Sequence, residues 1–390
     1  MTYGELFMII ILAQVFFLFS SAFGFAAADN NLAADLSFLV ADLKYSEKEG
    51  VKICEIQPGS LSVFSGYDFL LNDTGLVARG FCEVLERFQH KVWFINKGIC
   101  DPKMKKEYLL RGYKEKRSMK DLLASLDFRE TAHHPLYDPS SLTSYAGAVY
   151  SSVWASADFA TIRDKYPSML IIDRAFIPFF SNKEGMSSLF LQDPDLMDLK
   201  PRWKSYLKQY RPGLADEIIE DMASDMVVIK PIRSSKGYGV LIVAREELDS
   251  VLKQLFFKTG SLSLHKDEEY QYWARDQSKR FIVEAFHASD PVSAPLLGGG
   301  RYDPTMRVVF FLIFNEGKME VVFVEGHWKL PKISLDGQGS LTLKHKSYGE
   351  IPHFQLVEDS VLAQVESILR ERLILFYKKA LNLGPKGVAQ

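Results

Sequence analysis

Met226-Val227-Val228-Ile229-Lys230-Pro231-Ile232, then Ser234-Ser235-Lys236-Gly237-Tyr238-Gly239-Val240, then Leu241-Ile242-Val243-Ala244: this stretch decides how the second half of the chain is read. Two β-branched runs flank a Ser/Gly loop, which predicts strand, flexible loop, strand. Lys230 stands at the end of the first, buried strand. Glycines let backbone N–H groups close over phosphate oxygens, and a lysine adds a point charge to them. The same residues also fit a plain hairpin with a glycine turn. Neither a GxxxxGK[ST] loop nor a GxGxxG after a strand occurs in the chain.

Some 45 residues downstream comes the strand Arg280-Phe281-Ile282-Val283-Glu284-Ala285-Phe286-His287, followed by Asp303-Pro304-Thr305-Met306-Arg307-Val308-Val309. Upstream, Asn182-Lys183 opens a helix. This order, strand-Lys-Pro, glycine loop, a hinge of the form (I/V)-V-E-x-F and then a strand bearing Arg, resembles the ATP-grasp superfamily over about residues 181–315. The resemblance implies that Lys183 and Lys230 touch nucleotide phosphates. It implies that Gly237 and Gly239 belong to a phosphate lid and that Glu284, Phe286 and His287 bind adenine. Arg307 would stabilise charge on the transferred phosphoryl group, since that transfer builds negative charge on oxygens. Taken as residues alone, Glu284 also fits an edge-strand carboxylate facing water, and Arg307 a salt-bridge partner of Asp303.

The family's magnesium ligands, an Asp and then Glu-x-Asn on neighbouring strands, normally follow the arginine strand. Here Glu320 and Glu325 flank Val321–Val324 and no E-x-N follows. The other end of the chain offers Asp42 at the end of a strand and, thirteen residues on, Glu55-Ile56-Gln57 before Pro58-Gly59-Ser60. This is similar to the family's metal motif with Gln57 in place of Asn, and it implies a circular permutation. Two carboxylates and one amide are hard oxygen donors that suit Mg²⁺. The alternative is a surface hairpin with ordinary acidic residues.

Around these motifs, residues 36–45 and 51–57 read as two strands joined by the charged turn SEKEG. A helix at 75–90, a strand at 91–96, and apolar strands at 146–154 and 168–173 separated by a helix-like segment suggest a small open α/β domain with a parallel sheet. Lys103 to Lys120 reads as a solvated helix face. The second half reads as helix-rich over 193–224, then α+β, with 306–314 and 319–326 as an antiparallel pair. A long amphipathic helix at 357–381 ends the pattern. The expected fold class is therefore α/β plus α+β: an ATP-grasp-like fold with a small pre-grasp-like domain (67–180), a nucleotide-binding domain (181–383) and a permuted metal-binding strand pair (36–66).

Residues 1–28 stand apart. From Leu6 to Ala28 there is no charged residue, and a helix of that length spans about 35 Å. The small residues Ala26-Ala27-Ala28 suit an export signal, although the preceding MTYGE lacks Lys or Arg; an uncleaved anchor and a buried core helix remain alternatives. Membrane contact is expected only through residues 6–28. The chain as a whole has the balance of a globular protein, with 47% hydrophobic and 25% charged residues, which excludes disordered and collagen-like classes. Forty-seven Lys+Arg against 49 Asp+Glu carry no nucleic-acid footprint. Cys54, Cys82 and Cys100 suit neither a disulfide framework nor a zinc site.

The expected activity is an ATP- and Mg²⁺-dependent ligase that activates a small-molecule or peptide carboxylate as an acyl phosphate for attack by an amine. The alternative is a catalytically inactive scaffold, secreted or tethered to a membrane, that kept the fold. Either way the working domain of an enzyme would have to sit in an ATP-containing compartment.

Overall fold

The computed structural model describes residues 34–383 apart from 60–61, 63, 88–92, 97–101, 117–146, 151–168, 181, 235, 258 and 316. The uncharged run of residues 6–28, and the helix-like segment expected between the two apolar strands, lie outside the described residues.

The chain opens with a hairpin of β1 (Ala34–Ser46) and β2 (Gly50–Pro58). Its turn closes with Gly50 at φ +69°, a conformation glycine adopts without steric cost. Helices α1 (Ser65–Leu71) and α2 (Leu76–Glu86) follow. In α2 the residues Val77, Ala78, Phe81, Cys82, Val84 and Leu85 form one buried stripe, as helical spacing dictates. A parallel sheet comes next, built from β3 (Trp93–Asn96), β4 (Lys114–Lys116), β5 (Gly147–Tyr150) and β6 (Met169–Ile172) in the order β4-β3-β5-β6. The expected parallel α/β sheet is therefore present. The basic stretch from Lys103 is helical only as α3 (Pro102–Leu110) and then turns into β4. Its helix is not a purely solvated face either, because Met104 and Tyr108 are buried against α2.

A second, antiparallel sheet has the order β7-β10-β8-β9. Before it, α4 (Lys183–Phe190) starts at Asn182, whose side chain accepts the Gly185 N–H at 3.1 Å, and the short α5 (Pro194–Met197) follows. The strands are β7 (Trp203–Leu207), β8 (Met226–Pro231), β9 (Leu241–Ala244) and β10 (Arg280–Ala285). Packed against them are α6 (Leu214–Met222), α7 (Arg245–Phe256) and α8 (Glu268–Arg275). The strand β7 corrects the expected helix-rich stretch. Trp203 to Leu207 shows no apolar alternation, with Lys204 and Ser205 adjacent, and only Tyr206 is buried, because β7 is an edge strand.

The chain then forms a two-stranded ribbon, β11 (Val292–Ala294) with β12 (Gly300–Tyr302), and returns as β13 (Thr305–Asn315) and β14 (Lys318–Lys329). After α9 (Leu341–His345) and β15 (Phe354–Leu356), the long α10 (Asp359–Leu383) closes the described chain. These last strands join the opening hairpin in one five-stranded sheet, β15-β14-β13-β1-β2.

That sheet organises the molecule. Every residue of β1 is buried, with odd-numbered Leu39, Ala41, Leu43 and Tyr45 packed toward α4 and α10. Even-numbered Leu36, Phe38 and Val40 pack toward α2 and α3. Period-two alternation thus feeds two separate cores from one strand. Each large side chain among them contributes about 1.5–3 kcal/mol on removal from water. Where the even-numbered face runs past its apolar part, at Asp42, the site begins.

Candidate functional site

Register places the key residues. Asp42 on β1 lies directly opposite Glu55 on β2 and, on its other side, directly opposite Arg307 on β13. Arg307 in turn faces His327 on β14. Directly opposed residues project from the same face of a sheet, with Cβ atoms about 5 Å apart. Gln57, two residues on from Glu55 and opposite Val40, joins that face. One strand irregularity sharpens the corner: the β1–β2 register shifts after Asp42, leaving Cys54 unpaired in a bulge.

Asp42 is buried and clamped by two cations. Its Oδ1 and Oδ2 accept from Arg307 Nε and Nη2, both at 2.9 Å, and Oδ2 also accepts from Lys329 Nζ at 3.2 Å. Burial alone would raise the Asp42 carboxyl, but the charges of Arg307 and Lys329 hold it well below the usual range. Arg307 therefore pairs with Asp42, and Asp303 takes Lys44 at 2.9 Å and His345 at 2.7 Å instead.

A second clamp sits across the outer edge of β2. Glu284 on β10 accepts from Lys200 at 2.7 Å and from Lys230 at 2.5 Å, all three side chains being buried. Burial opposes the charge of Glu284, yet the two lysines pull its carboxyl below normal. Both lysines also donate to β2: Lys200 to the Ile53 and Cys54 carbonyls (3.2 and 3.1 Å), Lys230 to the Cys54 carbonyl (3.3 Å). The bulge at Cys54 is what exposes these acceptors.

Lys183, in the first turn of α4, links Glu55 to the start of the glycine loop. Its Nζ is 3.2 Å from Glu55 Oε1 and donates to the Ser234 carbonyl at the mouth of the glycine loop. The charge of Glu55 acts in addition on Lys230, Arg307 and Lys329. Asp42, Glu55, Lys183, Lys230, Glu284 and Arg307, scattered over 265 positions of sequence, thus meet in one polar corner.

The glycine loop follows β8 directly. Lys236, Gly237 and Gly239 all have positive φ (+55°, +72° and +73°). A Cβ on Gly239 would come within 2.6 Å of Pro231 Cγ and 2.8 Å of Tyr272 Cδ1, so this position requires glycine. The Gly239 N–H donates to Glu269 Oε2 at 2.6 Å, and Lys346 pairs with the same carboxylate. Phe286 and His287 lie beyond the end of β10 with other partners: the Phe286 N–H donates to the Met226 carbonyl at 3.0 Å, and His287 Nδ1 is 2.6 Å from Glu49 Oε2.

Among the described residues no group of three or more His, Cys, Asp or Glu is placed to hold a metal ion. A site at Asp42 and Glu55 would draw its third donor from the Gln57 amide. The donor set is all oxygen and lies on one face, and it fits a hard divalent cation. Asp42 retains capacity as well, since each carboxylate oxygen has about two lone pairs and Oδ1 uses one. Among the described residues no helix is long and apolar enough to cross a membrane.

Sequence reading missed Lys200, because nothing local marks a lysine after Leu199 as buried. It also missed Glu269 and Lys346, which reach the glycine loop from α8 and from the loop after α9. Their signal is purely tertiary.

No family model matches the chain, and no curated protein matches it. Solved structures do align. A protein described as a gamma-glutamylcysteine synthetase from Methylobacillus flagellatus shares 11% identity over 91% of this chain and 90% of its own, with a TM-score of 0.42. D-alanyl-alanine synthetase A from Vibrio cholerae shares 12% over 59% of this chain, TM-score 0.31; the chain spans 58% of that protein's length. D-cycloserine synthetase shares 11% over 71% of this chain and 80% of its own, TM-score 0.33. These are loose likenesses of chain trace, and the functional reading rests on the side chains.

Proposed function

We propose that the chain is an ATP- and Mg²⁺-dependent ligase of ATP-grasp type that joins a carboxylate to an amine. One observation carries the reading: five cations, Lys183, Lys200, Lys230, Arg307 and Lys329, converge on three carboxylates, and Lys183 also reaches the Ser234 carbonyl where the glycine loop begins. Such a corner is cationic on balance and backed by rigid strands, which suits an anion richer in charge than one carboxylate. Lys183 and Lys230 would hold phosphate oxygens, with Gly237 and Gly239 closing over them. Arg307, fixed by two hydrogen bonds to Asp42, would face the transferred phosphoryl group and stabilise the charge that develops there.

In the first step a substrate carboxylate oxygen bonds to the γ-phosphorus as the bond to ADP breaks. In the second, the nitrogen of a neutral amine bonds to the acyl carbon, phosphate leaves with the electron pair of the C–O bond, and the nitrogen's extra proton passes to that phosphate. Asp42, Glu55 and Gln57 would hold Mg²⁺, which supplies positive charge to the phosphate oxygens. The strand order supports a permuted arrangement, in which β1 and β2 are the family's last two strands carried to the front. Antiparallel pairing of β1 with β13 places Asp42 beside Arg307, as that arrangement requires.

The competing reading is a scaffold that kept the fold and lost the chemistry. Thermal unfolding with and without Mg-ATP separates them. Ligand at 100 times its dissociation constant adds about 2.7 kcal/mol of stability. A Mg-ATP-dependent rise in Tm, lost in Arg307→Ala, is the expected result; no rise sinks the ligase reading.

A further inference from the structure

Glu325 is the one acidic group on the site's face that the structure leaves half-satisfied. It lies on β14 opposite Val309, two residues from His327, which is itself opposite Arg307. The side chain is fully enclosed, and its Oε2 lies 3.0 Å from His327 Nδ1. Its Oε1 is buried with no hydrogen-bond partner among the described residues. Buried polar atoms are nearly always paired, and a carboxylate oxygen without a donor is costly. No lysine or arginine among the described residues pairs with Glu325, since Arg307 and Lys329 are both engaged by Asp42. Its charge is nevertheless close enough to act on Arg307 and on the Tyr67 hydroxyl. Tyr67, from α1, stacks on the His327 ring at 6.2 Å between centroids and so roofs the pair.

From this geometry we propose that Glu325, oriented by His327, is the ammonium-binding subsite of the enzyme: its open Oε1 receives an N–H of the incoming primary amine. The inference rests on the ligase reading for the amine's role and adds where that amine is held. An ammonium there completes the missing hydrogen bond, and one of its protons passes to Glu325 Oε1, so that the nitrogen regains the lone pair with which it attacks the acyl carbon. Arg307 sits one cross-strand step from His327, so the nitrogen is delivered beside the group that steadies the phosphoryl oxygens. His327 acts as a positioning residue: its hydrogen bond takes one carboxylate oxygen and leaves the other for the ligand.

The test uses the full chain, saturated with Mg²⁺ and a non-hydrolysable ATP analogue, and follows Tm as methylammonium chloride is added. Tetramethylammonium chloride, which has the charge but no N–H, is the control at equal ionic strength. A ligand of two heavy atoms is expected to act in the millimolar range. The expected result is a rise in Tm with methylammonium only, weakened about tenfold in Glu325→Gln. Equal responses to the two cations in wild type, or an undiminished response in Glu325→Gln, overturn the proposal. Should the variant fail to fold, the contrast between the two cations in wild type still decides. A methylammonium response without any nucleotide response supports the subsite and removes the ligase reading; a nucleotide response alone does the reverse.

Discussion

Two clamps of one carboxylate between two cations face each other across β2, and they are not built alike. Asp42 is held on the central sheet by an arginine that meets both of its oxygens, with a lysine in support. Glu284 is held on the second sheet by two lysines, whose remaining protons go to backbone carbonyls of β2. The Asp42 clamp has one planar, permanently charged member, Arg307, beside Lys329, which burial lowers; the Glu284 clamp has point charges only, of which Lys200 is the one that burial lowers. Burial, reinforced by the Lys230 charge and opposed by Glu284, pulls the Lys200 ammonium below the normal lysine range, whereas Glu284 holds Lys230 above it. The central sheet therefore offers a fixed template, and the second sheet an adjustable one that bridges to it.

The sharpest way to break this contrast is to remove each carboxylate. Asp42→Ala leaves Arg307 and Lys329 buried without a counter-charge and should cost about 3–5 kcal/mol in urea unfolding. Glu284→Ala should cost less, because Lys200 can shed its proton where Arg307 cannot. The opposite order would show that the arginine clamp is not the more rigid of the two.

Lys230→Ala keeps Lys200 on Glu284, so the fold should survive with a Tm within a few degrees of wild type. ATP turnover should fall roughly 100- to 1000-fold, since a fixed charge beside the transferred group is lost. Unchanged turnover in a folded variant would move the phosphate site away from the lysine clamp.

A pH series sharpens the comparison further. The Asp42 carboxyl is depressed in the folded state, so it stabilises above its unfolded value near 4, and that stabilisation is lost as pH falls. Asp173, whose carboxyl burial pushes well up, works in the other direction. The quantity to read is therefore the stability gap between wild type and Asp42→Asn, which should shrink steadily below about pH 4. A gap independent of pH would mean that Asp42 stabilises by shape and not by charge.

The smallest effect concerns the link from Glu55 to the glycine loop. Asn182→Ala removes the cap that starts α4 and should cost about 1 kcal/mol in thermal or urea unfolding. Its larger consequence should be a weaker Mg-ATP response, because Lys183 in the first turn is aimed by that cap.

Much of this was legible before any coordinates. The thirteen-residue step from Asp42 to Glu55 implied two strands and a turn, and the register sets those residues opposite each other. The strand-Lys-Pro run and the glycine loop stand where expected, as β8 and its exit. What stayed hidden has a common cause. Lys200 follows a short helix and looks solvated, yet it is buried because β2 offers it two carbonyls from a bulge that no local pattern announces. Glu325 was noted only as the end of a strand, since its orphaned oxygen depends on α1 roofing β14. Strand β7 escaped because an edge strand with Lys204 and Ser205 side by side has too weak an apolar pattern to outweigh its helical surroundings.

The position of β1 has a consequence for how the protein is made. The first described strand lies inside the central sheet, between β2 and β13, and its Asp42 is hydrogen-bonded to a partner 265 residues later. At about 5–20 residues per second, a ribosome needs roughly 13 to 50 s to deliver β13 after β1 has emerged. Throughout that interval a strand that is apolar on both faces from Phe38 to Ala41 waits with only its hairpin partner, and it is open to pairing with other nascent chains. Completion of the central sheet, and with it the Asp42–Arg307 contact, is thus a late event in biosynthesis, and slow translation should favour aggregation of the growing chain.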